Sequence, residues 1–184
     1  MKHASDEELV RDSRNGNVAA FGELVRRYES KVAATVFGML GHCDEADDIG
    51  QETFIRFYQA LKKFRGDSTI GTYITRIAIN LSLNELRRRE RRRIFFERMD
   101  PGKREEVPAT DHDTDQFEQK EIVRRAMETL SAKFRAVVTL RLVEGYSTEE
   151  TAQILQIPVG TVLSRLRRAQ RKLRSVLLHY KEGF

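Results

Sequence analysis

Apolar residues recur every three or four positions along most of this chain, the interval that lines one side of an α-helix. Phe21, Leu24, Tyr28, Val32, Val36 and Leu40 form the first stripe, and Gly41 with the polar residues after it stops that helix. Ile49, Thr53, Phe57, Leu61 and Phe64 form a second, with acidic residues at its start, where the helix dipole favours them. After a break at Arg65-Gly66-Asp67-Ser68, a third line runs through Ile70, Ile74, Ile77 and Leu81. Almost nowhere do apolar and polar residues alternate, so strands are not expected. Three helices closing on one core are predicted for residues 1–95.

The period is lost over residues 96–117, which carry Pro101, Pro108 and an excess of acid. A flexible acidic linker is the expectation there. From 118 to 184 the helical period returns. Ile122, Val123, Ala126, Met127 and Leu130 mark one helix; Phe134, Val137, Val138, Leu140 and Leu142 mark another, capped by Ser131 and ended by Gly145. Ser147 and Glu150 have the spacing of a capping box, in which each side chain satisfies the other's free backbone amide. A short helix with Ala152, Ile154 and Leu155 follows, then the turn QIPVG, then a last helix from about Thr161 through Val162, Leu166, Ala169, Leu173 and Val176. The predicted fold is all-α: two small helical domains joined by a flexible linker, the C-terminal one containing a helix-turn-helix.

Charge adds a partner class. The chain of 184 residues has a formal net charge of +5 and a pI near 9.5, which suits an anionic partner. One cysteine, Cys43, excludes an intramolecular disulfide, and no signal peptide or membrane-spanning run is evident. A reducing cytoplasm is therefore expected.

Within STEETAQILQIPVGTVLSRLRRAQRKLR, a capped helix, a tight turn and a basic helix are the parts of a helix-turn-helix. Ala152 is small enough for a close helix crossing, and Ile157 and Val159 can fill the corner. Thr161, Leu163, Ser164 and Arg165 would approach base edges in a major groove, leaving Arg167, Arg168 and Arg171 for phosphates. A solvated basic face on an ordinary helical hairpin is the alternative.

A second signal lies in TYITRIAINLSLNELRRRERRR. Tyr73, Arg76, Asn80, Asn84 and Arg87 recur at steps of three or four, on a face expected roughly opposite Ile70, Ile74 and Ile77. Ring, amides and cations together suit unstacked nucleic acid, where rings stack, amides read exposed edges and arginines hold the backbone. Arg88, Arg89, Arg91, Arg92 and Arg93 extend that grip. The alternative makes Tyr73 part of the core and the asparagines residents of a wet face.

A third feature is acidic. Asp44, Glu45, Asp47, Asp48 and Glu52 cluster at one helix start. Carboxylate pairs can serve acid-base or metal chemistry, but no histidine or phosphate-binding glycine loop accompanies them. A protein-docking surface or dipole pairing remains. The four histidines show no ligand spacing, so no metal, cofactor or catalytic residue is expected.

Together these segments resemble an extracytoplasmic-function sigma factor, the smallest class of bacterial RNA polymerase sigma subunits. AFGELVRRY, DDIGQETFIRFYQALKKFRGDS, TYITRIAINLSLNELRR and EGYSTEETAQILQIPVGTVLSRLRRAQRKLR carry the resemblance, in order and over nearly the whole chain. It implies that Asp47, Asp48, Gln51, Glu52 and Phe54 dock on the β′ clamp helices of core RNA polymerase, with further contacts to the β subunit. It implies that Tyr73, Arg76, Asn80, Asn84, Arg87 and Arg88 engage the opened minus-ten promoter element. A flipped base would be held at Phe64, Arg65, Gly66, Asp67 and Ser68, with Asn80 contributing. Thr161, Val162, Leu163, Ser164, Arg165, Arg167, Arg168 and Arg171 would read the minus-thirty-five element as duplex. The linker would thread through the polymerase. The resemblance also implies an anti-sigma factor as regulator and a cytoplasmic protein without stable membrane insertion, tethered at the inner membrane if that regulator is membrane-bound.

Two positions depart from the family pattern. Tyr73 stands where tryptophan is common, and Leu163 where arginine is common. Leucine cannot make arginine's bidentate contact with guanine, so a different minus-thirty-five preference is expected. Two other classes remain as alternatives: a response-regulator-like helix-turn-helix factor, and a small helical enzyme using the carboxylate cluster.

Overall fold

The computed structural model describes residues 4–99 and 115–182, which form eight α-helices and no strand. In chain order these are α1 (Asp6–Arg14), α2 (Val18–Leu40), α3 (Asp44–Ala60), α4 (Ile70–Met99), α5 (Asp115–Glu128), α6 (Ala132–Val138), α7 (Thr148–Leu155) and α8 (Val159–Glu182). A 3-10 turn, Leu61–Lys63, follows α3, and a π-helical stretch, Thr139–Val143, extends α6.

The sequence pattern did not predict α1. Only Leu9 and Val10 of its apolar residues are buried, too few to make a stripe. Its signal is instead a capping box: the Glu8 N–H donates to Ser5 Oγ at 3.2 Å and the Ser5 N–H to the Glu8 carboxylate at 2.7 Å. Helices α2, α3 and α4 then close on Leu24, Met39, Phe57, Leu61 and Ile74, all essentially inaccessible to solvent. Truncating Phe57 to Ala would cost about 3–5 kcal/mol as lost burial plus cavity. At the end of α2, Gly41 takes φ +76°, a value that L side chains resist, and its N–H bonds the Phe37 carbonyl at 2.9 Å.

Helix α4 continues to Met99, past residue 95 and into the stretch expected to be linker. Side-chain ion pairs support this polar extension. Glu85, nearly buried, takes Arg88 at 2.7 Å, Arg89 at 3.3 Å and Arg92 at 3.4 Å, while Glu90 pairs with Arg93 at 2.8 Å. At its other end residues 115–117, also expected to be linker, open α5, and 100–114 lie outside the described residues.

In the C-terminal half, Leu130, Val138 and Ala169 form a second small core with Met127, Phe134, Leu166 and Leu173 around it. The two halves also pack on each other. Ala136, Leu140, Tyr146 and Ile154 join the same buried cluster as Met39, Ile74 and Ile79. At this joint the Tyr146 and Thr75 hydroxyls lie 2.9 Å apart. Arg135 donates to Met39 O at 2.8 Å and to Glu128 O at 3.0 Å, capping helices from both halves. Burial pushes the Arg135 pKa downward, and these carbonyl acceptors offset that cost. A Cβ on Gly38 would meet Thr139 Cγ2 at 2.7 Å, so glycine is what lets α2 approach the π-helical stretch.

Candidate nucleic-acid interface

Three surfaces gather the residues singled out from the sequence. The first is one face of α4, where Asn80, Asn84 and Arg87 are exposed in line. Arg87 Nη1 donates to Asn84 Oδ1 at 3.1 Å, which orients that amide. The expected opposition between this face and the isoleucine stripe does not hold. At about 100° per residue, Tyr73 and its companions lie only about a quarter turn from Ile70 and Ile74. Tyr73 is accordingly half-buried, its ring edge-on to Phe64 at 4.9 Å and tilted against Phe57 at 6.3 Å. The side truly across from the amides carries Thr72, Thr75, Ile79 and Ser82, all buried.

Arg76 is not free for a ligand in this conformation. Its Nη2 donates to Gln153 O of α7 at 3.0 Å, and its Nε is buried without a protein partner. The arginine run is likewise partly neutralised: Arg88, Arg89 and Arg92 converge on Glu85, and Arg89 also reaches Glu45 at 3.3 Å and Cys43 Sγ at 3.0 Å. Glu45's own backbone N–H and then Arg89 hold its carboxyl below the ordinary range. Arg87 and Arg91 remain exposed. Cys43 and His42 are absorbed structurally, His42 stacking on Phe37 at 4.3 Å.

Next to this face is the loop from Phe64 to Thr69. Arg65, Gly66 and Asp67 are exposed, Phe64 and Ser68 are half-buried, and Gly66 takes φ +81°. Thr69 Oγ1 accepts the Thr72 N–H at 3.1 Å and so caps α4.

The second surface is on α3. Asp47, Asp48 and Gln51 are exposed, Glu52 pairs with Arg56 at 2.7 Å, and Phe54 turns partly into the core. Sequence reasoning missed Ile55 and Tyr58, which are 52% and 46% exposed on the strip through Asp48 and Gln51. Their positions, seven and ten residues after Asp48, carry the signal: helical spacing puts them on one face.

The third is the helix-turn-helix. The expected capping box opens α7, with Glu150 N–H to Ser147 Oγ at 3.1 Å and Ser147 N–H to the Glu150 carboxylate at 2.8 Å. Gln156 takes the left-handed conformation at the turn, and α8 begins at Val159, two residues before Thr161. Val162, one of the expected DNA contacts, is fully buried and packs the helix on its own domain. Val159 is 40% exposed and does not fill the corner; Thr151 and Ile154 are the buried residues there. Leu163, Ser164, Arg167, Arg168 and Arg171 are exposed in a row, with Thr161 and Arg165 half-buried beside them. This basic face stays open while Arg76 is engaged.

Residues 24–92 match the model for Sigma-70 region 2, and residues 120–173 match the model for Sigma-70, region 4. The RNA polymerase sigma-H factor of Pseudomonas aeruginosa is 36% identical, with 96% of each chain covered. The ECF RNA polymerase sigma-E factor of Escherichia coli is 38% identical, over 90% of this chain and 91% of that one. This chain belongs to the extracytoplasmic-function sigma factors. Its fold is similar to that of CnrH in complex with the cytosolic domain of CnrY, at TM-score 0.70, 25% identity and coverage of 94% and 96% of the two chains. It is also similar to that of the sigma factor RpoE in complex with the anti-sigma factor NepR from Bartonella quintana, at TM-score 0.66, 24% identity and coverage of 87% and 98%.

The two family matches fall on the two halves of the sigma factor. Region 2 spans most of α2, all of α3 and α4 to Arg92, and region 4 runs from Lys120 within α5 through most of α8. α1 lies outside both. Among the described residues no helix is long and apolar enough to cross a membrane, and no group of three or more His, Cys, Asp or Glu could hold a metal ion.

Proposed function

We propose that this sigma factor directs promoter-specific transcription initiation through three separate surfaces, with no chemistry of its own. The carrying observation is that one chain presents two unlike nucleic-acid faces: exposed amides with arginine on α4, and an arginine row on α8. Amides expose both donors and acceptors, which suits the edges of unpaired bases. The α8 face offers cations and a helix start, which suits a duplex major groove.

On this reading Asn80, Asn84 and Arg87, with Tyr73, Arg76, Arg88 and the Phe64–Ser68 loop, capture the opened minus-ten strand. Thr161, Leu163, Ser164 and Arg165 approach the minus-thirty-five bases, and Arg167, Arg168 and Arg171 hold phosphates. Asp47, Asp48, Gln51, Glu52 and Phe54, joined by Ile55 and Tyr58, dock on the β′ clamp helices of core RNA polymerase, with the β subunit adding contacts. Arg76 can serve the strand only after leaving the Gln153 carbonyl, so productive binding includes separation of α7 from α4. An anti-sigma factor that covers the docking surfaces holds the protein inactive in the cytoplasm, or at the inner membrane where that regulator is membrane-bound.

Asn80→Ala tests the reading. In holoenzyme it should reduce strand opening, followed by permanganate reactivity, by about tenfold, the size of an amide's paired contacts. Affinity for duplex promoter should be unchanged. Equal loss of both would remove Asn80 from base capture.

A further inference from the structure

The region 2 match begins at residue 24, so nothing in the family comparison gives α1 a role. Yet α1 forms one wall of a groove of about 420 Å3 whose opposite wall is the loop before α4. Asp6, Val10 and Arg14 line it from one side, and Phe64, Gly66 and Thr69 from the other. The volume lies within the range of sites that hold small molecules.

Arg14 ties the two walls together. Its Nε donates to the Leu61 carbonyl at 2.8 Å, and its Nη2 donates to the Phe64 carbonyl. Leu61 opens the 3-10 turn after α3, and its carbonyl also accepts the Phe64 N–H at 3.2 Å, while Phe64 closes the turn. One planar guanidinium thus holds both ends of the turn that launches the loop. α1 is itself fixed to α2, because Asp6 accepts from Arg27 Nη1 at 2.9 Å and from the Tyr28 hydroxyl. Beyond the clamp, the loop contains Gly66 at positive φ between exposed Arg65 and Asp67, a segment with little packing to define its shape.

We propose that Arg14 is a positioning residue for base capture: its fork on Leu61 and Phe64 sets the loop's shape, and α1 supplies the second wall against which an unstacked base of the minus-ten strand is held. The inference rests on the reading of this loop as the base-holding loop. Arg14 acts through the loop, so its loss weakens discrimination among bases by allowing the loop other shapes.

Holoenzymes carrying the wild-type, Arg14→Ala and Arg14→Lys chains are compared on promoters with each base at each minus-ten position, strand opening being read by permanganate. Arg14→Ala should reduce base discrimination at one position by about tenfold, the effect of two lost hydrogen bonds. The ranking elsewhere and the duplex minus-thirty-five affinity should stay as in wild type. Arg14→Lys keeps the charge without the fork, so it should retain only part of the discrimination and carries the test if the alanine chain folds poorly. Unchanged discrimination in the lysine chain, or an equal loss at every position, overturns the proposal. A wild-type holoenzyme that opens no promoter overturns the base-capture reading itself, an outcome separable from failure of the variants.

Discussion

The Tyr146 hydroxyl lies 2.9 Å from the Thr75 hydroxyl, both buried and 71 residues apart, where region 4 meets α4 of region 2. Tyr146 also reaches the Gly71 carbonyl at 3.4 Å, and Lys31 Nζ sits 4.5 Å from its ring centroid. A single side chain therefore joins α2, α4 and the segment before α7. Separation of the two halves exposes this residue and breaks each of these contacts.

Tyr146→Phe should loosen the joint while leaving the ring packed. The lost hydroxyl contact is worth about 1 kcal/mol net, because Thr75 can turn back to the carbonyl one helical turn earlier. Dyes placed on α2 and α8 should report a larger mean separation in free Tyr146→Phe than in wild type. No change in that distance would show that apolar packing alone holds the halves together.

Glu144 makes the same region sensitive to pH. Burial pushes its carboxyl pKa above the usual 4.5, against the opposing pull of Lys31. A raised folded-state pKa means the folded chain holds the proton more tightly than the unfolded one. Stability from this group is therefore full below about 4.5 and falls as pH rises through the folded-state value. Glu144→Gln should be more stable than wild type at neutral pH, and the difference should vanish toward pH 4. Urea midpoints across that range check it, and a difference that grows on acidification would contradict it.

On α8, Leu163 is 52% exposed at the start of the arginine row. Leu163→Arg should create a preference for guanine at one minus-thirty-five position, worth about 1–3 kcal/mol. Arg168→Ala should weaken duplex binding evenly across sequences and reduce the salt slope by about one. Binding titrations at several salt concentrations on a set of base-substituted duplexes separate the two effects. If Leu163→Arg leaves every base preference unchanged, α8 enters the groove in another register.

On α3, Asp48 and Ile55, seven positions apart, share an exposed strip. Asp48→Lys with Ile55→Ala should lower affinity for core polymerase by about tenfold or more, combining a reversed charge with lost apolar contact. The isolated chain should keep its affinity for minus-thirty-five duplex. Gel filtration with core enzyme and a duplex titration measure both, and intact core binding would move the docking surface elsewhere.

Much of this was legible in the sequence. The stripes of α2 and α3 and the capping box of α7 appear where their spacing places them, because each rests on local chemistry. Thr72, Thr75 and Ser82 are polar positions outside the apolar line predicted for α4, yet all three are buried. A hydroxyl can satisfy itself locally, as Ser82 does on the Ala78 carbonyl at 2.8 Å, so burial by a distant domain leaves no apolar signature. The same limit hid the fate of Arg76, whose partner Gln153 lies 77 residues away. Val162 received a DNA contact from the family resemblance alone; the apolar stripe of its helix already pointed it inward, where it is buried. α1 was missed because two buried residues cannot establish a period.

The most direct test of the central claim is transcription itself. Purified protein added to core RNA polymerase, with no anti-sigma factor present, should give discrete run-off transcripts from a library of genomic fragments. Those transcripts should fall about tenfold with Asn80→Ala and shift in promoter choice with Leu163→Arg. Silence from a core enzyme that responds normally to another sigma factor would contradict the account.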